Sequence, residues 1–123
     1  MENFGKSEDL CYPLGSKVIP TPKSAQENTE LAAALRSLGF VYDKYVTTVE
    51  IAWPSDDADF TIWDHYGPTN GYYAGIYIDS FYYPDSNWGA FSNFQSTNVV
   101  CQKQANGNFT LLNTKYIVIK FIF

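Results

Sequence analysis

The chain has 123 residues, of which 46% are hydrophobic and 18% aromatic, with a formal net charge of −5 and a pI of about 4.6. This length and hydrophobic content predict a single folded domain and exclude disorder over most of the chain. The acidic balance, without a basic cluster, argues against nucleic-acid binding, and no apolar run is long enough to cross a bilayer.

One helix stands out in the first third of the chain, over residues 25–38. Ser24 and Glu27 form a capping-box pair, in which the serine side chain accepts an N–H of the first turn and the glutamate returns to the N–H of the cap. Gly39 and Phe40 are predicted to end the helix in a Schellman motif. The apolar face at helical spacing consists of Leu31, Ala34, Leu35 and Leu38.

The rest of the chain is predicted to be strands and aromatic loops. Residues 1–10 carry no strong pattern, although residues 7–10 are expected to begin a helical turn that leads into Cys11. Between Trp88 and residue 97 the sequence indicates only a short polar segment. Extended segments are predicted over residues 17–20, 46–53, 60–63, 72–78, 97–103 and 116–123.

Taken together, one helix followed by strands and long aromatic loops, with a cysteine near each end, resembles the C-type lectin-like domain. The resemblance spans residues 7–103 and leaves an apolar extension of uncertain status over residues 104–123. It implies an α+β fold of mixed antiparallel sheets with one clear helix. The matching motifs, in chain order, are CYPLGSKV at 11–18, SAQEN at 24–28, VEIAW at 49–53, FTIWD at 60–64 and VVCQK at 99–103.

The calcium motifs of the sugar-binding family members are incomplete in this chain. Trp88 stands thirteen residues before Cys101, at the place of the tryptophan in the family's Trp-Asn-Asp motif, but Gly89 and Ala90 follow it and offer no side-chain oxygen. Since Ca²⁺ takes six to eight oxygen ligands, we expect no calcium-dependent sugar site of the usual kind and no other cofactor.

Cys11 and Cys101 are the two cysteines of the chain. The residues alone leave two alternatives open, a disulfide or two buried thiols of a cytosolic protein. The resemblance implies the disulfide, and with it a secreted protein, although no signal peptide precedes the domain in this sequence.

The family resemblance places the ligand on the aromatic long-loop face. The candidate ligand-binding residues there are Tyr72, Tyr73, Asp79, Tyr82, Tyr83, Asp85 and Asn87. Rings of this kind stack on sugars and anchor protein partners. Trp63 and Trp88 are expected to be core residues, and Asp79 and Asp85 are expected to serve loop solubility rather than to be a glycosidase pair.

Three further features are weighed and set aside as sites. Asp56, Asp57 and Asp59 lack the glycine and terminal glutamate of an EF-hand, which predicts a solvated turn. His65 has no catalytic signature around it, so we expect no enzyme. Asn108 begins an Asn-Phe-Thr glycosylation sequon, a triplet that also arises often by chance.

The sequence therefore predicts an extracellular binding module for a glycan, without the usual calcium site, and the resemblance links it to innate defence. Two alternatives stay open: a domain of the same fold devoted to protein contact, and an unrelated cytosolic α+β domain that serves as a ligand-binding or regulatory module.

Overall fold

The structure, a computed structural model, describes residues 2–38, 46–64, 67–68, 72–80, 83–105, 108–113 and 118–121, and beyond residue 103 it describes the backbone alone. The chain is a small α+β protein with antiparallel sheets. Its elements are β1 (Glu2–Asn3), α1 (Ser7–Cys11), a 3-10 turn (Tyr12–Leu14), β2 (Lys17–Val18), α2 (Ala25–Arg36), β3 (Thr48–Ile51), β4 (Tyr73–Tyr77), β5 (Trp88–Phe91), β6 (Ser96–Thr97), β7 (Val100–Ala105), β8 (Asn108–Asn113) and β9 (Val118–Phe121).

Helix α2 begins where the capping residues predict. The Ser24 hydroxyl accepts the N–H of Glu27 at 3.1 Å. The Glu27 carboxylate accepts the N–H of Lys23 at 2.9 Å, one residue before the predicted partner, so the capping box is only half formed. The helix ends at Arg36, and the predicted Schellman residues 39 and 40 lie outside the described part of the chain.

The core lies between α2 and a three-stranded sheet of order β3-β4-β5. In the register of this sheet, Val49 is opposite Ile76 and Ile76 is opposite Trp88, so the three side chains share one face. This face forms one buried cluster with Leu31 and Leu35 of the helix. Replacing either leucine by alanine is expected to lower the free energy of unfolding by about 2–5 kcal/mol, because the smaller side chain leaves a cavity.

The opposite face of the sheet is covered by residues 2–7, which we call the N-terminal strap. Phe4 is buried, and its ring stacks on Phe91 with centroids 4.5 Å apart and planes 5° from parallel. The ring lies over Gly75, where an added Cβ would come within 2.9 Å of it. The strap is therefore part of the core, although its sequence carries no strong pattern.

Two predicted strands are corrected by the structure. Residues 60–63 form no strand: Trp63 makes a single parallel bridge with Trp88, and the chain then turns at Gly67, whose N–H donates to the Asp64 carbonyl oxygen. The predicted strand over 97–103 is broken at Asn98, which bonds to the Thr48 carbonyl oxygen of β3 through its N–H and its side-chain amide. The segment between Trp88 and residue 97, expected to be only a short polar segment, begins instead with strand β5.

A second sheet of order β2-β7-β8-β9 carries the predicted disulfide. Cys11 at the end of α1 bonds to Cys101 of β7, with Cα atoms 5.4 Å apart and a sequence separation of 90. The disulfide is confirmed, and both cysteines are fully buried. The apolar run predicted over 116–123 is a strand in its described part, β9, which pairs with β8, and β8 pairs with β7.

Candidate functional site

The loop between β4 and β5 brings two of the predicted site residues together around a helix residue. Arg36 forms ion pairs with Asp79, at 3.1 Å between Nε and Oδ1, and with Asp85 through Nη2. The Asp79 N–H also donates to the Asp85 carboxylate at 2.8 Å. Both carboxylates therefore share one guanidinium as their cationic partner.

These ion pairs position the loop more than they stabilise the fold. The Arg36, Asp79 and Asp85 side chains are 34%, 55% and 37% exposed. Ion pairs that are this exposed contribute at most about 1 kcal/mol. Asp79 and Ser86 both have left-handed φ angles, of 50° and 67°, which give this loop its sharp turns.

A buried amide ties the other end of the loop to the helix. Asn28 of α2 donates to the Ser86 carbonyl oxygen at 2.9 Å and accepts the indole N–H of Trp88 at 2.8 Å. Asn28 is 3% exposed and Trp88 is fully buried, as expected of a core tryptophan. The bond to the Trp88 indole is buried and the bond to Ser86 is partly buried, so the indole bond is the costlier of the two to lose. The loop is thus held in place at its Arg36 contacts and at Asn28.

A stack of two tyrosines lies under the same loop. The rings of Tyr77 and Tyr83 are 4.5 Å apart and nearly parallel, and the Tyr77 hydroxyl donates to the Asp64 carboxylate at 2.8 Å. Burial and then this bond raise the pKa of Tyr77 well above its ordinary value, so the phenol stays protonated. One face of Tyr83, a predicted ligand-binding ring, is therefore covered by the ring of Tyr77.

A second buried carboxylate lies beneath the N-terminal strap. The Oε1 atom of Glu50 accepts the Gly5 N–H at 2.9 Å and the Ser7 hydroxyl at 2.8 Å. Burial raises the pKa of Glu50, an effect that these two bonds partly oppose and the charge of Glu8 reinforces. Glu50 holds the strap against the sheet, a role that its place in a predicted strand did not suggest.

The predicted site residues fall into two groups rather than one platform. Tyr72 and Tyr73 lie at the start of β4, whereas Asp79, Tyr83, Asp85 and Asn87 follow its end. The five residues of β4 separate the groups by roughly 13–17 Å. Tyr82 and His65 lie outside the described residues, and Asn108 begins β8 with its side chain undescribed. Ligand binding by these residues stays a prediction.

Sequence reasoning missed the exposed ring of Phe94. Phe94 is 88% exposed, Tyr72 and Tyr12 are each 84% exposed, and Trp53 is 39% exposed. Phe94 lies in the turn after β5, within the segment that the sequence predicts to be polar. The signal that points to it is an aromatic residue inside a Ser-Asn-Phe-Gln turn, where no core-forming pattern accounts for a large ring.

Tyr12 borders an open groove of about 410 Å³ that has a charged rim. Its lining includes the acidic residues Glu8 and Asp9 and the basic residue Lys17. Asp56, Asp57 and Asp59 are exposed, as the prediction of a solvated turn requires. Among the described residues, no three histidine, cysteine, aspartate or glutamate side chains converge in a way that could hold a metal ion.

In the part of the chain that the structure describes, neither helix has the length and apolar character that a membrane crossing requires. Comparisons with known protein families, curated proteins and solved structures found no match.

Proposed function

We propose that this chain is an extracellular binding module of C-type lectin-like architecture that holds a carbohydrate without a calcium ion. The observation that carries the proposal is a pair of exposed rings: Tyr72 and Phe94 are each more than four-fifths exposed, on a chain that has buried a full core elsewhere. Rings left in water on a folded domain are typical of binding surfaces, and their faces stack on the C–H faces of sugars.

The disulfide fits an extracellular location, since bridges of this kind persist in oxidising compartments. The architecture is supported by the order of the elements: a bridge from a first helix to a late strand, and a second helix packed on an antiparallel sheet. These features agree with the sequence resemblance over residues 7–103.

Binding without calcium is supported by two contacts. The ring of Tyr77 fills the space beside Gly89, where an added Cβ would lie 2.7 Å from its Cζ atom, so an asparagine at this position has no room. The Asp79 and Asp85 carboxylates, the acidic groups of the long loop, are already paired with Arg36.

An array of immobilised glycans, probed with the labelled oxidised protein in CaCl₂ and again in EDTA, tests the proposal. We expect binding to at least one glycan class that is equal in both buffers. Binding that EDTA abolishes would contradict the calcium-independent part, and the absence of binding to any glycan would overturn the carbohydrate assignment.

Protein contact is a second candidate function, and the groove beside Tyr12 favours it. Protein interfaces are enriched in aromatic residues and have polar rims, which an exposed ring bordered by charged residues of both signs would fit. A cytosolic role is tested separately. Protein purified in its native redox state is denatured and alkylated without reduction, and its intact mass is then measured. Two alkyl groups that add without prior reduction would show free thiols and favour that role.

A further inference from the structure

We propose that the sugar site is the surface formed by Tyr72 and the turn of residues 92–95, here called the turn patch, and that it takes a neutral sugar. The inference rests on the proposed carbohydrate function and assigns it a place away from the predicted long loop. Two exposed rings, Tyr72 and Phe94, lie in this patch.

Backbone bonds place the two rings on the same end of the three-stranded sheet. Tyr73 is opposite Phe91 in the register of β4 and β5, which puts Tyr72 opposite Ser92. The Tyr72 N–H donates to the Phe91 carbonyl oxygen at 3.1 Å. Phe94 follows Ser92 by two residues, so the Cα atoms of Tyr72 and Phe94 lie within about 13 Å of each other, the span of two sugar rings.

The turn is built before any ligand arrives. The Gln95 N–H donates to the Ser92 carbonyl oxygen at 3.2 Å, and the Ser92 N–H donates to the Gln95 side-chain oxygen at 2.9 Å. The Phe94 N–H reaches the Ser92 hydroxyl at 3.4 Å. On its far side the turn is bonded to the strap, since the Phe4 N–H donates to the Gln95 carbonyl oxygen at 2.9 Å. A fixed turn loses little conformational entropy on binding.

The described residues of the turn and of the paired strands β1 and β6 carry mostly uncharged amides and hydroxyls. Asn93 and Gln95 lie in the turn, and Asn3 and Ser96 face each other on the paired strands β1 and β6, where Glu2 is the charged residue. Amides both donate to and accept from sugar hydroxyls. Without lysine or arginine in these segments, an acidic sugar has no counter-charge, which favours a neutral one.

The size of the patch favours a sugar over a protein partner. A buried aromatic side chain contributes roughly 150–250 Å² of contact surface. Two such rings offer well under the ~800 Å² that each partner of a stable protein complex buries. They do match the face of one or two sugar rings. Such a shallow site binds weakly alone, and repeated sugars on one polymer would strengthen it through multivalency.

The experiment measures depletion of the oxidised protein from solution by mannan, β-1,3-glucan, galactan and chitin, with heparin as the acidic polymer. We expect wild-type protein to bind at least one neutral polymer and not heparin. Phe94→Ala and Tyr72→Ala should each weaken that binding about three- to tenfold, the effect of losing one stacked ring. Tyr12→Ala removes an equally exposed ring elsewhere and should leave binding unchanged.

Two further variants test whether binding requires an aromatic ring at position 94. Phe94→Trp keeps a stacking ring and should retain binding, whereas Phe94→Leu keeps only apolar surface and should weaken binding as Phe94→Ala does. Wild-type protein that binds no polymer overturns the proposed function and this inference together. Wild-type binding that survives in Phe94→Ala and Tyr72→Ala, or is lost only in Asp85→Ala, overturns the turn patch alone.

Discussion

Replacing Gly89 by alanine is expected to destabilise the fold by about 3 kcal/mol. The new Cβ would lie 2.7 Å from the Cζ atom of Tyr77 and 2.9 Å from the Cε2 atom of Phe91, so the Tyr77 ring must move. Overpacking of this kind costs ~1–3 kcal/mol. The moved hydroxyl also loses its bond to Asp64, worth ~1.5–3 kcal/mol for a charged acceptor. The stiffer unfolded chain offsets up to about 1 kcal/mol of the sum.

The assay is urea unfolding of the oxidised protein, followed by tryptophan fluorescence, on a double-mutant cycle with Tyr77→Phe. Tyr77→Phe alone should lower the free energy of unfolding by about 2 kcal/mol, because it removes the bond to Asp64. In the double variant that bond is already gone, and so is the Tyr77 hydroxyl oxygen, the atom nearest to the new Cβ. Its destabilisation should therefore fall short of the sum of the single effects by about 2 kcal/mol.

Two results would refute this reasoning. A loss below about 0.5 kcal/mol in Gly89→Ala, the range of an ordinary surface change, would mean that the space beside Gly89 is not filled by Tyr77. Strictly additive effects in the cycle would mean that the two residues do not share a contact. Either result would also remove one of the two arguments for a site without calcium.

Three other perturbations have expected outcomes. Changing Cys11 and Cys101 together to alanine should lower the free energy of unfolding by about 4–5 kcal/mol, as loop closure over this length predicts, measured by urea unfolding. Asn28→Ala should cost about 2–4 kcal/mol in the same assay, because it leaves a buried indole N–H and a carbonyl oxygen without their partner. Glu50→Gln, which mimics the protonated acid, should become more stable relative to wild type as pH rises. The folded pKa of Glu50 lies above its ordinary value, so the wild-type contribution is complete below the ordinary pKa and is lost as pH passes the raised one.

Each of these has a control or a contradicting outcome. Full stability of the double alanine variant would show that the bridge does not restrict the unfolded chain. Thr29→Ala removes a hydroxyl that bonds within the exposed side of α2 and should change stability by less than about 0.5 kcal/mol, as a match for Asn28→Ala. A difference between Glu50→Gln and wild type that stays constant from acidic to neutral pH would contradict the raised pKa.

The parts of the fold that the sequence predicts are those set by local chemistry. Helix α2 starts at Ser24 because its hydroxyl caps a backbone N–H, and its buried leucines recur at helical spacing. Strands β3 and β4 follow from runs of β-branched and aromatic residues, although each is shorter than its predicted range. The disulfide was one of two open readings for the cysteines, and the structure decides between them.

The parts that the sequence does not predict depend on contacts between distant segments. Gly89 gives no strand signal, yet it lies in β5, paired with Gly75 of β4. A glycine fits this position because the Tyr77 ring occupies the space that a side chain would fill. Phe4 is buried only because Gly75, 71 positions later, leaves room for its ring. Phe94 became a candidate only when its exposure was known. No spacing rule along the chain encodes any of these three.

The bridge between Cys11 and Cys101 also decides how the domain responds to force. A tensile load on the chain outside the bridge passes through the sulfur–sulfur bond, so helix α2 and the three-stranded sheet inside the loop carry none of it. Reduction frees the chain between the two cysteines, which are 90 positions apart in sequence, and this chain extends to roughly 300 Å at ~3.3–3.6 Å per residue. In the oxidised domain the loop between the cysteines does not lengthen under load, whereas in the reduced domain it does.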